Sequence, residues 1–200
     1  MSKVRSATLD VRAWDTSTLD FFKRWGNTES NARWEADREH AKKKPERNAS
    51  LETRKAYILE KYVGRAFCKR GAPPTESQLL TAINHKNLPG VMDILLKGLP
   101  VKMGYVMITA ACDAGEAALA ILEALIHHGV DPNAVECAYS EDRPLHYAVR
   151  HARDAFAKTL IRRGADPTAR NGRGKTPFDV AVDVHGAIRD DELLILLSGD

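Results

Sequence analysis

Four groups of side chains in this sequence have the types and spacing from which chemistry can be built. Gly174-Lys175-Thr176 ends like a phosphate-binding loop, and His127-His128 offers two imidazoles to a metal. His146 is a candidate general base, and Lys42-Lys43-Lys44 is a cationic run able to meet an anionic surface. Each has a competing structural use. A phosphate loop needs a further glycine five residues before its second one; Ala169 holds that place, and no strand leads into it. Neighbouring histidines on a helix point apart, so His127 and His128 read as the solvated end of a helix closed by Gly129. His146 reads as a hydrogen-bonding residue inside its own structural unit. Three lysines fall short of the roughly four to eight basic residues of a lipid-binding cluster, so that run reads as a solvated loop.

Bulk properties narrow the field. The chain has 200 residues, 44% of them hydrophobic, enough to bury a core. A formal charge of +3 argues for neither nucleic acid nor a membrane. Trp14, Trp25 and Trp34 read as packing residues, since no basic groove surrounds them, and nucleic acid is not expected as a partner. Cys68, Cys112 and Cys137 are odd in number, widely spaced and without a C-x-x-C pair, which predicts free thiols, no metal and a cytoplasmic location. The longest apolar stretch, Ala117 to Ile126, is interrupted by Glu123 and has half the length of a membrane span, so no transmembrane segment is expected.

The elements that position these residues emerge when the second half is laid against itself. Arg143-Pro144-Leu145-His146-Tyr147-Ala148-Val149 returns 33 positions later as Thr176-Pro177-Phe178-Asp179-Val180-Ala181-Val182. Leu145, Ala148 and Gly164 have counterparts 66 positions earlier in Leu79, Ala82 and Gly98. An intermediate unit runs from Ile108-Thr109-Ala110-Ala111 to Ile126 through Asn133, with about two extra residues between its helices. Pro144 and Pro177 open first helices, where a missing N–H costs nothing. Leu145, Ala148, Val149, Leu160 and Ile161 fall at spacings of three and four and give each helix one apolar stripe. Gly98, Gly129 and Gly164 close second helices, and Asp131-Pro132 and Asp166-Pro167 turn the chain onward. The openings of the T-P-L-H type and the closings of the G-A-D-P-T type resemble ankyrin repeats, about four of them over residues 75–200. That resemblance implies a mainly α solenoid that binds another protein through its loops and inner helices. The architecture puts Asp131, Asn133, Glu141, Arg143, Asp166, Thr168, Arg170, Arg173 and Lys175 forward as contact residues for an unknown protein partner. Arg143 and Asp179 depart from the threonine and histidine that the family prefers, and the chain stops where a repeat closes.

Residues 1–70 have another texture. Val4 to Asp10 alternates like a short strand; Ser17 to Trp25 reads as a helix closed by Gly26-Asn27, and Ser30 to Glu39 as a second. Ser50 can cap a third helix, in which Leu51, Ile58-Leu59, Tyr62-Val63 and Ala66-Phe67 recur at helical spacing, predicting a buried face. Residues 71–74, Gly-Ala-Pro-Pro, read as a linker. The order Ser2-Lys3-Val4-Arg5-Ser6, Thr8-Leu9-Asp10, Trp14, Gly26-Asn27, Asn31, Trp34-Glu35, Arg54, Ala56-Tyr57-Ile58, Lys61-Tyr62-Val63 and Phe67 resembles the later half of the Arf GTPase-activating domain. A subfamily with ankyrin repeats directly after that domain has the same arrangement.

This resemblance implies an Arf-family small GTPase as partner and a parent protein at endosomal or plasma membranes, held there by its further domains. It places the family's four-cysteine structural zinc finger, and the arginine that acts on the nucleotide, upstream of Ser2. Arg5, Arg24, Arg33 and Arg54 match helix, strand or rim positions. The expectations are therefore a partial Arf-GAP-like domain with no cofactor of its own, residues 1–40 poorly anchored, and a catalytically incompetent fragment acting as a binding module. A still-active Arf activator using another surface and a stand-alone ankyrin scaffold are the competing readings.

Overall fold

The computed structural model describes residues 14–37, 44–64, 66–68, 72–137 and 139–198. Among them the chain is helical, with no strand; the short strand expected over Val4 to Asp10 lies outside the described residues.

Four helix pairs form the second part: α4 (Glu76–Asn84) with α5 (Leu88–Leu96), α6 (Gly104–Cys112) with α7 (Ala118–His127), α8 (Pro144–Arg150) with α9 (Asp154–Arg162), and α10 (Pro177–His185) with α11 (Asp191–Ser198). First helices α4, α6, α8 and α10 stack side by side as an inner row, and α5, α7, α9 and α11 as an outer row. Local chemistry starts each one. Thr75 and Gln78 form a reciprocal capping box, the Asn87 side chain caps α5 through Gly90 N at 3.0 Å, and Pro144 and Pro177 occupy first turns. A short 3₁₀ turn, Gly115–Ala117, accounts for the extra residues between α6 and α7.

The predicted apolar stripes are inside. Leu79, Ile83, Ile108, Ile121, Leu125, Leu145, Ala148 and Leu160 are all buried in one continuous core. Burying a leucine or isoleucine side chain removes apolar area worth about 1.5–3 kcal/mol. Gly98, Gly129 and Gly164 close the outer helices at φ 81°, 88° and 97°, the left-handed conformation that glycine takes without a Cβ penalty. The turn inside each pair has a left-handed residue of its own: Lys86, Gly115, Ala152 and Gly186, with φ 57°, 62°, 50° and 75°. Lys86 and Ala152 hold that conformation with a side chain present.

In the first part, Asp15 caps α1 (Thr16–Arg24), whose C-terminal Trp25 turns the chain into α2 (Asn27–Trp34). The second helix thus starts and ends earlier than Ser30 to Glu39. Extended Gly26 releases the chain at Asn27, and beyond Trp34 the backbone leaves the helix so that Asp37 N can donate to Phe67 O at 2.9 Å. Ser50 caps α3 (Leu51–Ile58) as expected, accepting from Thr53 N, and a π-turn (Leu59–Val63) continues it. The π-turn carries Lys61 inward, to Glu35 at 2.6 Å and Asn31 at 3.0 Å, while Trp34 meets Tyr62 edge-on at 5.0 Å.

The buried face expected of α3 is not found. Leu51, Ile58, Leu59, Tyr62 and Val63 are exposed by 48 to 78%, and Phe67 alone of that series is fully buried. The physical reason is the edge by which α3 packs. Its contacts run through Tyr57, bonded to Glu35 and tilted on Phe67, and through Lys61, which leaves the opposite edge outward.

Candidate functional site

The first part seats on the outer row of the repeats. Phe21 and Trp25 of α1 are buried against α7, where Phe21 stacks on His127 at 6.1 Å. Between them lies an ionic cluster whose centre is Glu123, fully buried on α7. Arg163, just after α9, reaches both Glu123 oxygens at 3.0 and 3.1 Å through Nε, and Glu123 Oε1 at 2.7 Å through Nη2. The same Nη2 meets Asp15 Oδ2 at 3.0 Å and Thr18 Oγ1 at 2.7 Å, and Ser17 Oγ donates to Glu123 at 2.7 Å. Burial would push the Asp15 carboxyl up, but the Thr18 N–H, the Ser17 and Thr18 hydroxyls and the Arg163 guanidinium outweigh it and hold the group at about 2. Two carboxylates around one guanidinium, with hydroxyls filling the remaining positions, satisfy one another where Glu123 is shut off from water and Asp15 and Arg163 are largely so. Arg33 extends the contact to the first repeat: it lies 4.5 Å above the Trp25 ring and pairs with Asp93 on α5. Residues 14–37 are anchored by these contacts; the rest of the stretch 1–40 lies outside the described residues.

Because the first part sits on the outer row, the inner helices and the loops between repeats face away from it. The nine contact residues expected from sequence fall there in two groups. Asp131, Asn133, Asp166 and Thr168 stitch the closing turns together: Asn133 donates to Gly164 O at 2.8 Å and accepts from Asp166 N at 2.9 Å. Asp131 and Asp166 each accept from the backbone two residues on, at Asn133 and Thr168. Each of these four side chains thus makes a bond within the closing turns. Glu141, Arg143, Arg170, Arg173 and Lys175 lie in the loops that project beyond the inner helices. There Arg170 donates to Gly174 O at 2.6 Å, Lys175 pairs with Asp183, and Glu141 is exposed at φ 46°.

Sequence reasoning missed the centre of that second group. Asp142 is buried, receives Asn171 Nδ2 at 2.8 Å and pairs with Arg150 at 2.6 Å. These residues, with Tyr139, Ser140 and Arg173, line a cavity of about 410 Å³. Tyr139 is 96% exposed beside it. Gly172 makes the loop contact feasible, since its N donates to Ser140 O at 2.7 Å and a Cβ there would stand 2.4 Å from Tyr139 O. Asp142 and Asn171 are 29 residues apart and do not share the 33-residue period, so self-comparison gives no sign of the pair.

His146 is fully buried, accepts from Arg143 N at 3.2 Å through Nδ1, and so has Nε2–H to donate to Lys175 O of the next repeat at 3.1 Å. Burial lowers its pKa against the pull of that carbonyl. It is a neutral stitch between repeats. Asp179 keeps half of the same job, accepting from Thr176 N at 2.8 Å, which explains how a carboxylate replaces the imidazole there. His127 and His128 are exposed, each with Nδ1 on the carbonyl four residues back, at 2.8 Å.

Among the described residues, no group of three His, Cys, Asp or Glu side chains stands close enough to hold a metal. Cys112 is buried, with its thiol pushed up to about 12 by desolvation; Cys68 is half-buried and Cys137 exposed on a loop between repeats. These thiols do not fit a four-ligand zinc site. Arg24 pairs with Asp20 at 2.9 Å, Arg33 with Glu29 at 2.8 Å and with Asp93, and Arg54 donates to Arg47 O; Arg5 lies outside the described residues. No helix among the described residues is long and apolar enough to cross a membrane.

Comparison with known families and proteins agrees with this division. Residues 1–71 match the ArfGap family, described as a putative GTPase activating protein for Arf, and residues 79–186 match ankyrin repeats (3 copies). Two Arabidopsis thaliana proteins are similar across 99% of the chain: the ADP-ribosylation factor GTPase-activating proteins AGD2, 27% identical over 263 residues, and AGD4, 26% identical over 262. The chain spans about a third of the length of these relatives, 33% of each. Ankyrin repeat and SOCS box protein 11 of Danio rerio is 45% identical over 49 residues, 24% of this chain and 17% of that protein.

Proposed function

The chain belongs to the ankyrin-repeat family, with an ArfGap domain ahead of the repeats, and from that premise we propose that it serves the regulation of Arf-family small GTPases as a binding module. Its repeats hold a protein partner through the inner helices and the loops around Glu141, Arg143, Arg170, Arg173 and Lys175. The observation that carries this reading is the seating of the first part on the outer row, through Asp15, Arg163 and Glu123, with the loop side left open. It works in the cytoplasm, and its parent protein works at endosomal or plasma membranes.

The 200 residues do not themselves accelerate hydrolysis. An activator lowers the barrier chiefly by setting a guanidinium, or an equivalent charge, against the negative charge developing on the transferred phosphoryl group. Arg24, Arg33 and Arg54 each hold a partner within the chain: Asp20, Glu29 and the Arg47 carbonyl. Single-turnover hydrolysis of GTP on loaded Arf, with this chain in excess, tests the point: the expected rate is the intrinsic one. Acceleration of about tenfold or more would sink the reading of a silent module, because a working arginine finger supplies about 10³–10⁵.

A further inference from the structure

We propose that the cavity between the last two inter-repeat loops receives a carboxylate side chain from an acidic segment of the protein partner. This rests on the loop reading above and names what the loop side would hold. The cavity of about 410 Å³ is lined by Tyr139, Ser140 and Asp142 of one loop, Arg150 of α8, and Asn171 and Arg173 of the next loop. The side-chain oxygens of Asp142, Asn171 and Ser140 are already engaged. Asp142 accepts from Asn171 Nδ2 on Oδ1 at 2.8 Å and from Arg150 Nη2 on Oδ2 at 2.6 Å. Asn171 Oδ1 accepts from the backbone N–H groups of Arg173 and Lys175, both at 3.0 Å. Ser140 Oγ accepts from Asp142 N at 3.2 Å and donates to Glu136.

What remains unused around the cavity is donor capacity. A guanidinium carries five N–H groups and no acceptor. Arg150 turns one nitrogen to Asp142, and the exposed Arg173 guanidinium has no hydrogen-bond or ion-pair partner among the described residues. Tyr139 stands at the mouth with its phenol almost wholly in solvent. Charge agrees with this: Asp142 and Arg150 cancel, so Arg173 leaves the lining with one positive charge. Glu136 and Glu141 are exposed on the same loop, but neither lines the cavity, and Glu136 is bonded to Ser140. Such a lining favours an anionic acceptor and disfavours an amine. A carboxylate can meet a guanidinium through two parallel bonds, the geometry by which arginine recognises acids, and tyrosine adds rigid contact area beside it. The bond from Gly172 N to Ser140 O holds the two loops together, so the site exists before the partner arrives.

Fluorescence anisotropy of a labelled hexaglutamate peptide against the full chain is the test, with hexaglutamine as its uncharged counterpart. Hexaglutamate should bind at least about tenfold more tightly, and added salt should weaken it. Arg173→Gln should weaken binding about tenfold and Tyr139→Ala about threefold. Arg189→Gln, which removes an exposed cation from the turn between α10 and α11, should leave it unchanged, and all three variants should keep the parent circular-dichroism melt. Equal affinity for the two peptides, no binding of either, or equal losses from Arg173→Gln and Arg189→Gln would overturn the proposal. Loss with Arg170→Gln but not with Arg173→Gln would overturn it and leave the loop reading in place. Peptide-induced protection from amide exchange on the outer row, with none in the loops, would overturn both.

Discussion

Leu145, Ala148 and Val149 of the repeats and Leu51 and Ile58 of α3 both fall at helical spacing, and they finish in opposite surroundings. The first set is closed over by neighbouring helix pairs, each of which presents the same stripe. The second set has its helix pinned by the other edge, at Tyr57 and Lys61, and stays in solvent. Periodicity therefore reports that a helix has an apolar face; what covers that face is a property of the neighbours. In the repeats the neighbour is written into the sequence, because the unit is repeated, and in the first part it is not.

Breaking the contact between the two regions should have the largest effect. Arg163→Met removes the one cation among Glu123, Asp15 and their hydroxyls, leaving a carboxylate with no exposure to water. Unfolding free energy should drop by about 3–5 kcal/mol, and amide exchange in α1 should quicken by more than that in α4. If α1 keeps its protection, Phe21 and Trp25 hold the first part without the ionic cluster. Next in size is the paired truncation that contrasts the stripes themselves: Leu160→Ala should cost about 2–5 kcal/mol in chemical denaturation, and Leu51→Ala about 0.5 or less. Equal costs would mean that the α3 face is covered in solution. A gain is expected from Ala152→Gly, which relieves a side chain held at φ 50°; the melting temperature should rise by the equivalent of about 1 kcal/mol.

One effect appears only in acid. The Asp15 carboxyl sits at about 2 in the folded chain against an ordinary 3.8, so its contribution is complete above the ordinary value and is lost as the pH falls from there through about 2. Thermal melts across that window should show a slope that Asp15→Asn flattens.

Much of the solenoid was legible. The return of Pro144-Leu145 as Pro177-Phe178 located inner helices, Gly129 and Gly164 located the left-handed closings of outer ones, and His146 was readable as an internal stitch. The cluster that joins the regions was not, since Asp15 and Arg163 are 148 residues apart and no local pattern connects them. One signal was available: Glu123 interrupts an otherwise apolar run, and a charge on a helix so apolar must find a partner inside the fold. The boundaries of α2 were obscured because Trp34 and Glu35 serve Tyr62 and Lys61 rather than the helix, an arrangement set by tertiary contact. Asp142 and Asn171, beside the loop group, were not legible, because they pair outside the repeat period.

A tandem array ordinarily melts as a chain of nearest-neighbour units, able to fray from either extremity while its middle persists. Here a single brace runs across that array: Arg33 clasps the first unit, α1 lies along the second, and the arginine that follows α9 belongs to the third. Loosening any one of these three units strips contacts from the other two, so they give way together, and piecemeal loss is left to the fourth.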